Sequence, residues 1–287
     1  MTGNEDGCRL SLPLAERIDP AARSRLLVRE IEGMAVIDAA LPHPFHALFT
    51  TRLGGESSGP FASLNLSPFS EDDPRVVERN RARLSNLADR SLVSPRQAHG
   101  LRVAGAAEYI GEDPDAPCDG LTIHSQIDKG LAALLLFADC VPVVLCGEMD
   151  AAVAHGGWRG ILGGIVQQAG RSLMSAPGCA VIGPSIGPCC FTVDDEVAGA
   201  FAARFGSEVV IDGGGGEGTA KRVDLWAAVT KALREINIHP SQIVNPRLCT
   251  MCNNDLFFSH RRQGPVTGRH GCLVWAGAPH AEVEPAC

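Results

Sequence analysis

The chain has 287 residues, of which 45% are hydrophobic, and a formal net charge of −8. These values are typical of a globular protein with a sizeable core, and they exclude wholesale disorder. The acidic balance argues against non-specific binding of nucleic acid, which needs a basic surface. It is compatible with a small anionic substrate that is held by a local group of arginines.

The N-terminal segment, residues 1–33, carries acidic residues near its start and has no long apolar run like that of a secretory signal. We expect it to be a loosely attached leader that precedes a single catalytic domain over residues 34–287. The most apolar stretch, residues 130–146, contains Asp139 and Pro142 and is too short to span a bilayer. The eleven cysteines are an odd number, so we expect reduced thiols in a bacterial-type cytoplasm.

Hydrophobic patterning predicts the elements in chain order. FHALFTTRLGG (45–55) is typical of a strand that enters a glycine turn. A helix follows over residues 72–90, with an aspartate cap and a proline in its first turn. GLAALLLFADC, VPVVLC and AAVAH then predict three buried strands, and residues 161–176 predict a helix. Downstream, CAVIGPSIGP predicts a strand and a turn, two amphipathic helices follow, and GRHGCLVWAG predicts the last strand.

The segment DGGGGEG (212–218) lacks the Gly-Lys-Ser/Thr ending of a phosphate-binding loop, so it predicts a flexible surface loop. Strands and helices mix along the chain without strict alternation, and no dinucleotide-binding unit is evident. The pattern therefore predicts an α+β fold, in which mixed β-sheets and helices form a layered sandwich, rather than a doubly wound sheet.

Three turn segments each contain a residue that can bind a metal. PRQAHG, FADCVPV and AVAHGGWRG contain His99, Cys140 and His155. Two imidazoles and one thiolate are a normal zinc set, and three protein ligands leave a fourth position for water or substrate, as in catalytic sites. Each residue also has a plainer interpretation, the cysteine as a small buried residue and the histidines as turn caps.

Two other uses of the cysteines stay open. CTMC (249–252) and PCC (188–190) could together form a four-thiolate structural zinc site, although no second CxxC motif supports it. Alternatively, Cys140 is a nucleophile that pairs with His99 or His155. The spacing of these residues does not separate a nucleophile from a metal ligand.

Several arginines lie beside glycine-rich turns, where a planar cation and exposed backbone N–H groups suit phosphate or carboxylate. Arg52 in TTRLGG is our first candidate for phosphate, and Arg159, Arg261, Arg262 and Arg269 are further candidates. Neighbouring residues of a strand point to opposite faces, so we expect at most one of Arg261 and Arg262 to face the site.

Polar residues elsewhere can complete such a site. Asp119 in PCDGL and Asp139 in FADC are candidates to orient a histidine or to transfer a proton, and an Asp-Gly turn is the plainer role of Asp119. Asn65 in SLNLS is a candidate to hydrogen-bond a purine or a ribose. We assign binding of substrate and phosphate to Arg52, Asn65, Gln97, Asp119 and Arg261.

Long motifs follow one another in a distinctive order. They are TTRLGGESSGPFASLNLS, PRQAHG, CDG, ADCVPVVL, AHGGWRGIL, GPSIGPCCFTV, VDLW and CTMCNNDLFFSHRRQGPVTGR. Over residues 36–276 the chain resembles the laccase-domain, or polyphenol-oxidase-like, family of purine nucleoside phosphorylases. The chain departs from the usual family pattern at Gly156, where alanine is common, and at His260, where tyrosine is common.

The resemblance implies a cysteine-hydrolase-like α+β fold with one zinc on the catalytic residues His99, Cys140 and His155. It implies phosphorolysis of adenosine, inosine, guanosine and methylthioadenosine, and deamination of adenosine. The expected partners are therefore purine nucleosides and phosphate, not nucleic acid or a membrane, and we expect a monomer. Bacterial members of the family have also been linked to peptidoglycan editing.

The family name laccase suggests copper, but the residues argue against a multicopper centre. Such a centre needs many paired histidines, typically as HxH, and the chain has nine histidines and no HxH pair. The combined pattern of zinc deaminases, H-x-E followed by P-C-x-x-C, is also absent, so any deamination uses another arrangement. Two alternatives stay open: a thiol hydrolase that acts on peptidoglycan precursors, and a non-catalytic metal- or nucleotide-binding module.

Overall fold

The computed structural model describes residues 13–113, 116–212 and 220–277. Its strands are β1 (Leu26–Ile31), β2 (Met34–Ala39), β3 (Phe45–Thr50), β4 (Ser91–Val93), β5 (Val103–Gly105), β6 (Gly120–His124), β7 (Leu131–Phe137), β8 (Val141–Cys146), β9 (Asp150–Gly156), β10 (Cys179–Ile182), β11 (Thr192–Val193), β12 (Val210–Ile211), β13 (Lys221–Val223), β14 (Ile243–Val244) and β15 (His270–Ala276). Its helices are α1 (Leu14–Arg17), α2 (Pro74–Ala88), α3 (Ala106–Ile110), α4 (Trp158–Gly163), α5 (Ile165–Ser172), α6 (Asp195–Phe205), α7 (Leu225–Glu235) and α8 (His260–Gln263). The predicted glycine loop, residues 212–218, lies outside the described residues apart from Asp212.

The strands form two six-stranded sheets and one small three-stranded sheet. The first sheet has the order β1-β2-β3-β15-β7-β4, the second has the order β14-β10-β8-β9-β6-β5, and the third has the order β11-β13-β12. Both large sheets are mixed, because β4 pairs parallel to β7 while β5 and β14 pair parallel to β6 and β10. The last strand, β15, pairs with β3 on one side and with β7 on the other, in the middle of the first sheet.

The two large sheets pack face to face, and helices cover their outer faces. Phe49 and Leu135 of the first sheet share one buried cluster with Val153 of the second. On the outer face of the first sheet, Leu134 packs in a second cluster with Leu84 of α2. The outer face of the second sheet packs against α5 and α7 in a third cluster. The predicted layered α+β sandwich is confirmed, with four layers in the order helix, sheet, sheet, helices.

Strands β7, β8 and β9 are buried on both faces, which explains why their sequences are almost continuously apolar. A sheet with one wet face alternates apolar and polar residues. In β8, by contrast, Val141 and Val143 pack towards the helices while Val144 and Cys146 pack towards the other sheet. Because both faces are dry, neither needs polar side chains.

The boundary expected between leader and body does not coincide with a break in the packing. Strand β1 pairs with β2 along its whole length, and Ile18 is 1% exposed. Arg17 Nη1 also lies 2.9 Å from a carboxylate oxygen of Asp255. The described part of the predicted leader, residues 13–33, is therefore packed onto the body, because its apolar side chains complete the cluster between the sheets.

The single helix predicted over residues 161–176 is two helices, α4 and α5. Gly164 between them has a φ of 95°, a conformation that glycine adopts at no steric cost and that ends α4. Within residues 13–113, 116–212 and 220–277, no helix is long and apolar enough to cross a membrane. The nine cysteines in these ranges are all free.

Candidate active site

Strand register in the second sheet brings Asp119, Cys140 and His155 together at one end of the sheet. Pro142 of β8 lies opposite His155 of β9, so Cys140, two residues before Pro142 and on the same face, is a diagonal neighbour of His155. Asp119 is the residue before β6, and its carbonyl oxygen accepts the backbone N–H of His155 at 2.8 Å. Neighbouring strand ends therefore hold these three side chains.

His99 comes from the connection between β4 and β5 and completes the group. Its Nε2 lies 3.7 Å from Cys140 Sγ. Its ring meets the ring of His155 edge to face, with 4.7 Å between the centroids. The possible ligand atoms of His99, Cys140 and His155 all lie within 4.8 Å of one another.

One carboxylate, that of Asp119, positions both histidines. Its Oδ1 lies 2.8 Å from Nδ1 of His155 and accepts the backbone N–H of His99 at 2.9 Å. Its Oδ2 accepts the backbone N–H groups of Ala98 at 3.1 Å and Gly100 at 2.8 Å. Because an ionised carboxylate only accepts hydrogen bonds, Nδ1 of His155 carries the proton and its Nε2 is left for a metal or for Cys140.

The charges in this group shift the pKa values of its members. Burial by itself raises the pKa of the Cys140 thiol, but His155 and His99 outweigh burial and lower that pKa to about 6. Burial by itself lowers the pKa of His155, but Cys140 and Asp119 outweigh it and raise that pKa to about 9. Near neutral pH the metal-free pair is therefore a Cys140 thiolate and a His155 imidazolium. The thiolate is the form that binds metals and attacks electrophiles, and His155 gives up its Nε2 proton when a metal binds.

The three side chains fit a zinc ion. Ordinary bond lengths in a tetrahedral zinc site separate a sulfur ligand from a nitrogen ligand by about 3.6 Å, close to the 3.7 Å between Cys140 Sγ and His99 Nε2. The carboxylate behind His155 is the partner that metal-binding histidines usually have. All three residues also line an open cleft, which leaves room for a fourth ligand.

The glycine that follows the strand end allows this close approach. A Cβ atom on Gly157 would lie 2.6 Å from Cδ2 of His99 and 3.6 Å from Sγ of Cys140. Real Cβ atoms do not approach other atoms as closely as the first of these distances. Any larger residue at position 157 would therefore disturb the position of His99.

The cleft above the three residues has a volume of about 1020 Å³ and is strongly cationic. Its described lining contains Arg96, Arg159, Arg261 and Arg269, and Asp139 is its one carboxylate. The two oxygens of that carboxylate accept hydrogen bonds, one from the Thr250 hydroxyl and one from the backbone N–H of Arg261, each at 2.6 Å. The cleft therefore suits an anionic ligand.

Aromatic side chains complete the cleft wall. Trp158 and Phe191 line it, each with a guanidinium over its ring, Arg159 at 4.1 Å and Arg261 at 5.3 Å from the centroids. Phe69 also lines it and keeps 66% of its surface exposed. Such rings suit a flat heterocycle, because every base presents a π-face for stacking.

Arg52, our first candidate for phosphate, has different surroundings from those expected. Its Nε donates to the Ala62 carbonyl at 2.6 Å and its Nη1 to the Asn254 carbonyl at 2.9 Å. The guanidinium also lies 4.5 Å from the ring centroid of Phe258. Arg52 is not among the described residues that line the cleft. Its contacts hold two loops together instead.

Two predicted polar ligands are also engaged by the backbone. Gln97 lines the cleft, but its amide both donates to the Leu136 carbonyl and accepts the Leu136 N–H, each at 2.9 Å. Asn65 is fully buried, and its Oδ1 accepts the backbone N–H of Arg269 at 2.9 Å. Asn65 therefore positions a cleft arginine, and Asp119 positions the two histidines.

Arg261 and Arg262 lie in the short helix α8 and not in a strand, so the alternation of strand faces does not apply to them. Of the two, Arg261 lines the cleft together with His260, and Arg262 is not among the lining residues that the structure describes. Sequence reasoning missed Arg96 and Phe69. Arg96 lies in the same PRQAHG motif as His99, which was a usable signal, whereas nothing local marks Phe69.

A family model described as "Multi-copper polyphenol oxidoreductase laccase" matches residues 46–277, and the chain belongs to this family. "Purine nucleoside phosphorylase YlmD" of Geobacillus stearothermophilus is 35% identical over 240 residues, which cover 77% of this chain and 86% of the relative. "Purine nucleoside phosphorylase YfiH" of Escherichia coli (strain K12) is 32% identical over 246 residues, 82% of this chain and 95% of the relative. The crystal structure of YlmD from Geobacillus stearothermophilus has a TM-score of 0.75 and 31% identity, covering 88% of this chain and 99% of that one. The family resemblance inferred from the motifs is confirmed.

Proposed function

We propose that the protein is a zinc-dependent purine nucleoside phosphorylase that accepts adenosine, inosine, guanosine and methylthioadenosine, and that it also deaminates adenosine. The observation that carries the proposal is the convergence of His99, Cys140 and His155 on one point of an arginine-lined cleft. The relatives named purine nucleoside phosphorylase support the same activity.

Phosphorolysis breaks the bond from the ribose anomeric carbon to the purine and forms a bond from that carbon to a phosphate oxygen. The products are the free base and the sugar 1-phosphate, which is ribose 1-phosphate for adenosine, inosine and guanosine and 5-methylthioribose 1-phosphate for methylthioadenosine. The site must hold phosphate close to the sugar and bind a flat base. Arg159, Arg261 and Arg269 suit the phosphate, because guanidinium groups bind its oxygens in pairs. Phe69 and Trp158 suit the purine, because they offer rings for stacking.

His99, Cys140 and His155 would hold the zinc, which supplies a Lewis acid for a phosphate or water oxygen when bound. Asp119 keeps the proton of His155 on Nδ1, so that Nε2 is directed to the ligand position. Asp139, a candidate for proton transfer, has both oxygens engaged by Thr250 and Arg261. We therefore assign Asp139 a positioning role in the cleft wall.

A thiol hydrolase acting on peptidoglycan precursors is the second candidate. It is favoured by the chain Cys140–His155–Asp119, since a nucleophile, a base and an orienting carboxylate have this order in thiol and serine hydrolases. His99 argues for the metal, because it approaches the same sulfur from a second direction and has no role in a three-residue triad. The third alternative, a non-catalytic module, predicts tight purine binding without turnover.

The test is phosphate-dependent release of free base from adenosine and inosine. The wild type, Cys140→Ala and Cys146→Ala are compared, the last as a control for loss of a buried thiol outside the site. We expect the wild type and Cys146→Ala to release base only with phosphate, and Cys140→Ala to release none. Metal content is measured on the same samples.

Two results would contradict the proposal. A folded, zinc-loaded protein that releases no base from any purine nucleoside is not a phosphorylase. Turnover that persists after complete removal of metal, on peptidoglycan precursors and not on nucleosides, identifies the thiol hydrolase instead.

A further inference from the structure

A second group of metal-capable side chains lies outside the described lining of the cleft. Cys189 and Cys190 lie between β10 and β11, and Cys249 and Cys252 lie between β14 and α8. The four Sγ atoms lie within 4.8 Å of one another. Sγ of Cys252 is 3.6 Å from Sγ of Cys189 and 3.4 Å from Sγ of Cys190. We call this group the four-cysteine cluster.

The distances match ligands around one ion. A tetrahedral zinc with bonds of about 2.3 Å to four thiolates separates the sulfurs by roughly 3.8 Å. A disulfide brings two sulfurs to about 2.05 Å, and all four cysteines are free. A soft cation is also what would allow all four sulfurs to be thiolates, because thiolates this close repel one another unless a cation neutralises them.

We propose that Cys189, Cys190, Cys249 and Cys252 bind one zinc ion in a closed, four-thiolate site. With four protein ligands the ion keeps no position for water or substrate, so the site is structural. One backbone contact supports anionic sulfur at Cys249. The backbone N–H of Gly187 donates to Sγ of Cys249 at 3.2 Å. This N–H group stabilises the thiolate form and is the kind of outer partner that metal sites retain.

The site joins a loop that contributes to one wall of the cleft to a second loop that supports this wall from behind. The loop with Cys189 and Cys190 leads into Phe191, which lines the cleft. The loop with Cys249 and Cys252 carries Thr250, whose hydroxyl binds Asp139 at 2.6 Å. The elements that follow the two loops, β11 and α8, meet where Nη1 of Arg261 donates to the Thr192 carbonyl at 2.8 Å. A metal at the four-cysteine cluster would therefore fix this wall without touching the substrate.

The first test counts zinc per chain by elemental analysis of the purified full-length protein. In the Cys140→Ala background, which removes a ligand of the cleft site, we expect about one zinc per chain to remain. Adding Cys249→Ser and Cys252→Ser should remove it, whereas adding Cys146→Ala as a control should not. The zinc count of the four-cysteine cluster does not depend on the proposed enzyme activity, because the cluster should retain its zinc even if the cleft binds none.

The second test uses the wild type, so it does not depend on whether a variant folds. Cys189 is exposed, and without a metal it should react with iodoacetamide in the native protein. We expect peptide mapping to show that Cys189 is protected from alkylation until a strong chelator is added. After the chelator is added, alkylation of Cys189 should be at least tenfold faster. Equal rates with and without chelator would overturn the proposal. Recovery of Cys252 in a disulfide with Cys189 or Cys190, with no zinc bound, would overturn it as well.

Discussion

The group of His99, Cys140 and His155 and the four-cysteine cluster are built by different means. In the first, strand register and the Asp119 carboxylate hold the side chains, and the group opens into the cleft. In the second, two loops bring four thiols together, and we propose that a metal holds them. The chain thus combines a preorganised site that is open to the cleft with a proposed structural metal site that is closed by four protein ligands. Neighbouring strand ends place Asp119, Cys140 and His155 of the open site, and the Asp119 carboxylate fixes the connection that carries His99.

Two buried histidines show a related contrast. His155 is 4% exposed and His270 is 1% exposed. Although burial opposes its charged form, His155 has its pKa raised to about 9 by Cys140 and Asp119. Burial, with Arg269 and Arg52 nearby, lowers the pKa of His270 to about 3. Neither ring nitrogen of His270 has a hydrogen-bond partner among the described residues. Burial alone therefore does not decide the charge of a histidine; its partners do.

Asp119→Ala tests most strongly whether the open site depends on its carboxylate. We expect the zinc affinity of the cleft site to fall by about 10- to 100-fold, and base release to fall with it, while the four-cysteine cluster keeps its metal. Competition with a chelating dye measures the affinity. The matched control is Asp128→Ala, because that buried carboxylate accepts the N–H groups of Ala107 at 2.8 Å and His124 at 2.7 Å, outside the site. Equal zinc affinities in both variants would contradict the role of Asp119.

Gly157→Ala and Gly187→Ala separate the two groups. A Cβ at position 157 would collide with His99, and one at position 187 would lie 2.7 Å from the Trp226 ring and 3.1 Å from Cβ of Cys249. Each change should cost about 1–3 kcal/mol, as overpacking usually does. In Gly157→Ala we expect this cost to appear as weaker zinc binding in the cleft. In Gly187→Ala we expect it to appear as a lower free energy of unfolding, with the cleft zinc retained.

The control for both glycine changes is Gly199→Ala in α6, where a Cβ meets nothing within 4 Å among the described residues. It should raise the free energy of unfolding by about 0.5–1 kcal/mol, because alanine favours a helix. Zinc analysis and denaturant titration give the readouts. The comparison fails if Gly157→Ala binds zinc in the cleft as tightly as Gly199→Ala.

His270→Phe tests the contrast between the two buried histidines. The ordinary pKa of histidine is 6.5 and that of His270 is about 3 in the fold, so between these pH values only the unfolded chain binds the proton. The free energy of unfolding should therefore fall as pH drops through this window, with up to about 1.4 kcal/mol per pH unit from His270. In His270→Phe, the free energy of unfolding should lose the part of its pH dependence that comes from His270.

The control is His239→Asn, because His239 is an exposed helix cap and asparagine can also cap a helix. This variant should keep the pH dependence of the wild type. Denaturant titrations at several pH values measure the slopes, and equal slopes in His270→Phe and the wild type would refute the assignment.

Phe69→Ala is expected to have the smallest effect and tests the proposed substrate side of the open site. Loss of a stacking ring should weaken nucleoside binding by about 1 kcal/mol, roughly fivefold in KM, with little change in zinc content. Met174→Ala is the control, since Met174 is 69% exposed and lies outside the described cleft lining. Steady-state kinetics with inosine gives the comparison. An unchanged KM in Phe69→Ala would place the purine elsewhere in the cleft.

The sequence by itself determined the features that depend on local pattern. The apolar runs of β7, β8 and β9 predicted buried strands, and the aspartate and proline signals predicted α2, whose cap is Asp73. The trio His99, Cys140 and His155 was also found from sequence, because each residue lies in a turn segment of a long family motif. Patterns of this kind depend only on residues that are close together in the sequence, so they can be recognised without knowing the fold.

Only the tertiary structure decided which distant groups meet. Arg52 binds the carbonyl of Asn254, far along the chain, and this partner removes it from the cleft. Arg96 and Phe69 join the cleft from separate loops. The four-cysteine cluster, which sequence spacing supported weakly, becomes compact because the loops after β10 and β14 lie side by side, as the parallel bridge from Ser185 to Cys249 shows. The physical reason is that loop contacts depend on the packing of elements that are distant in sequence, which no local pattern encodes.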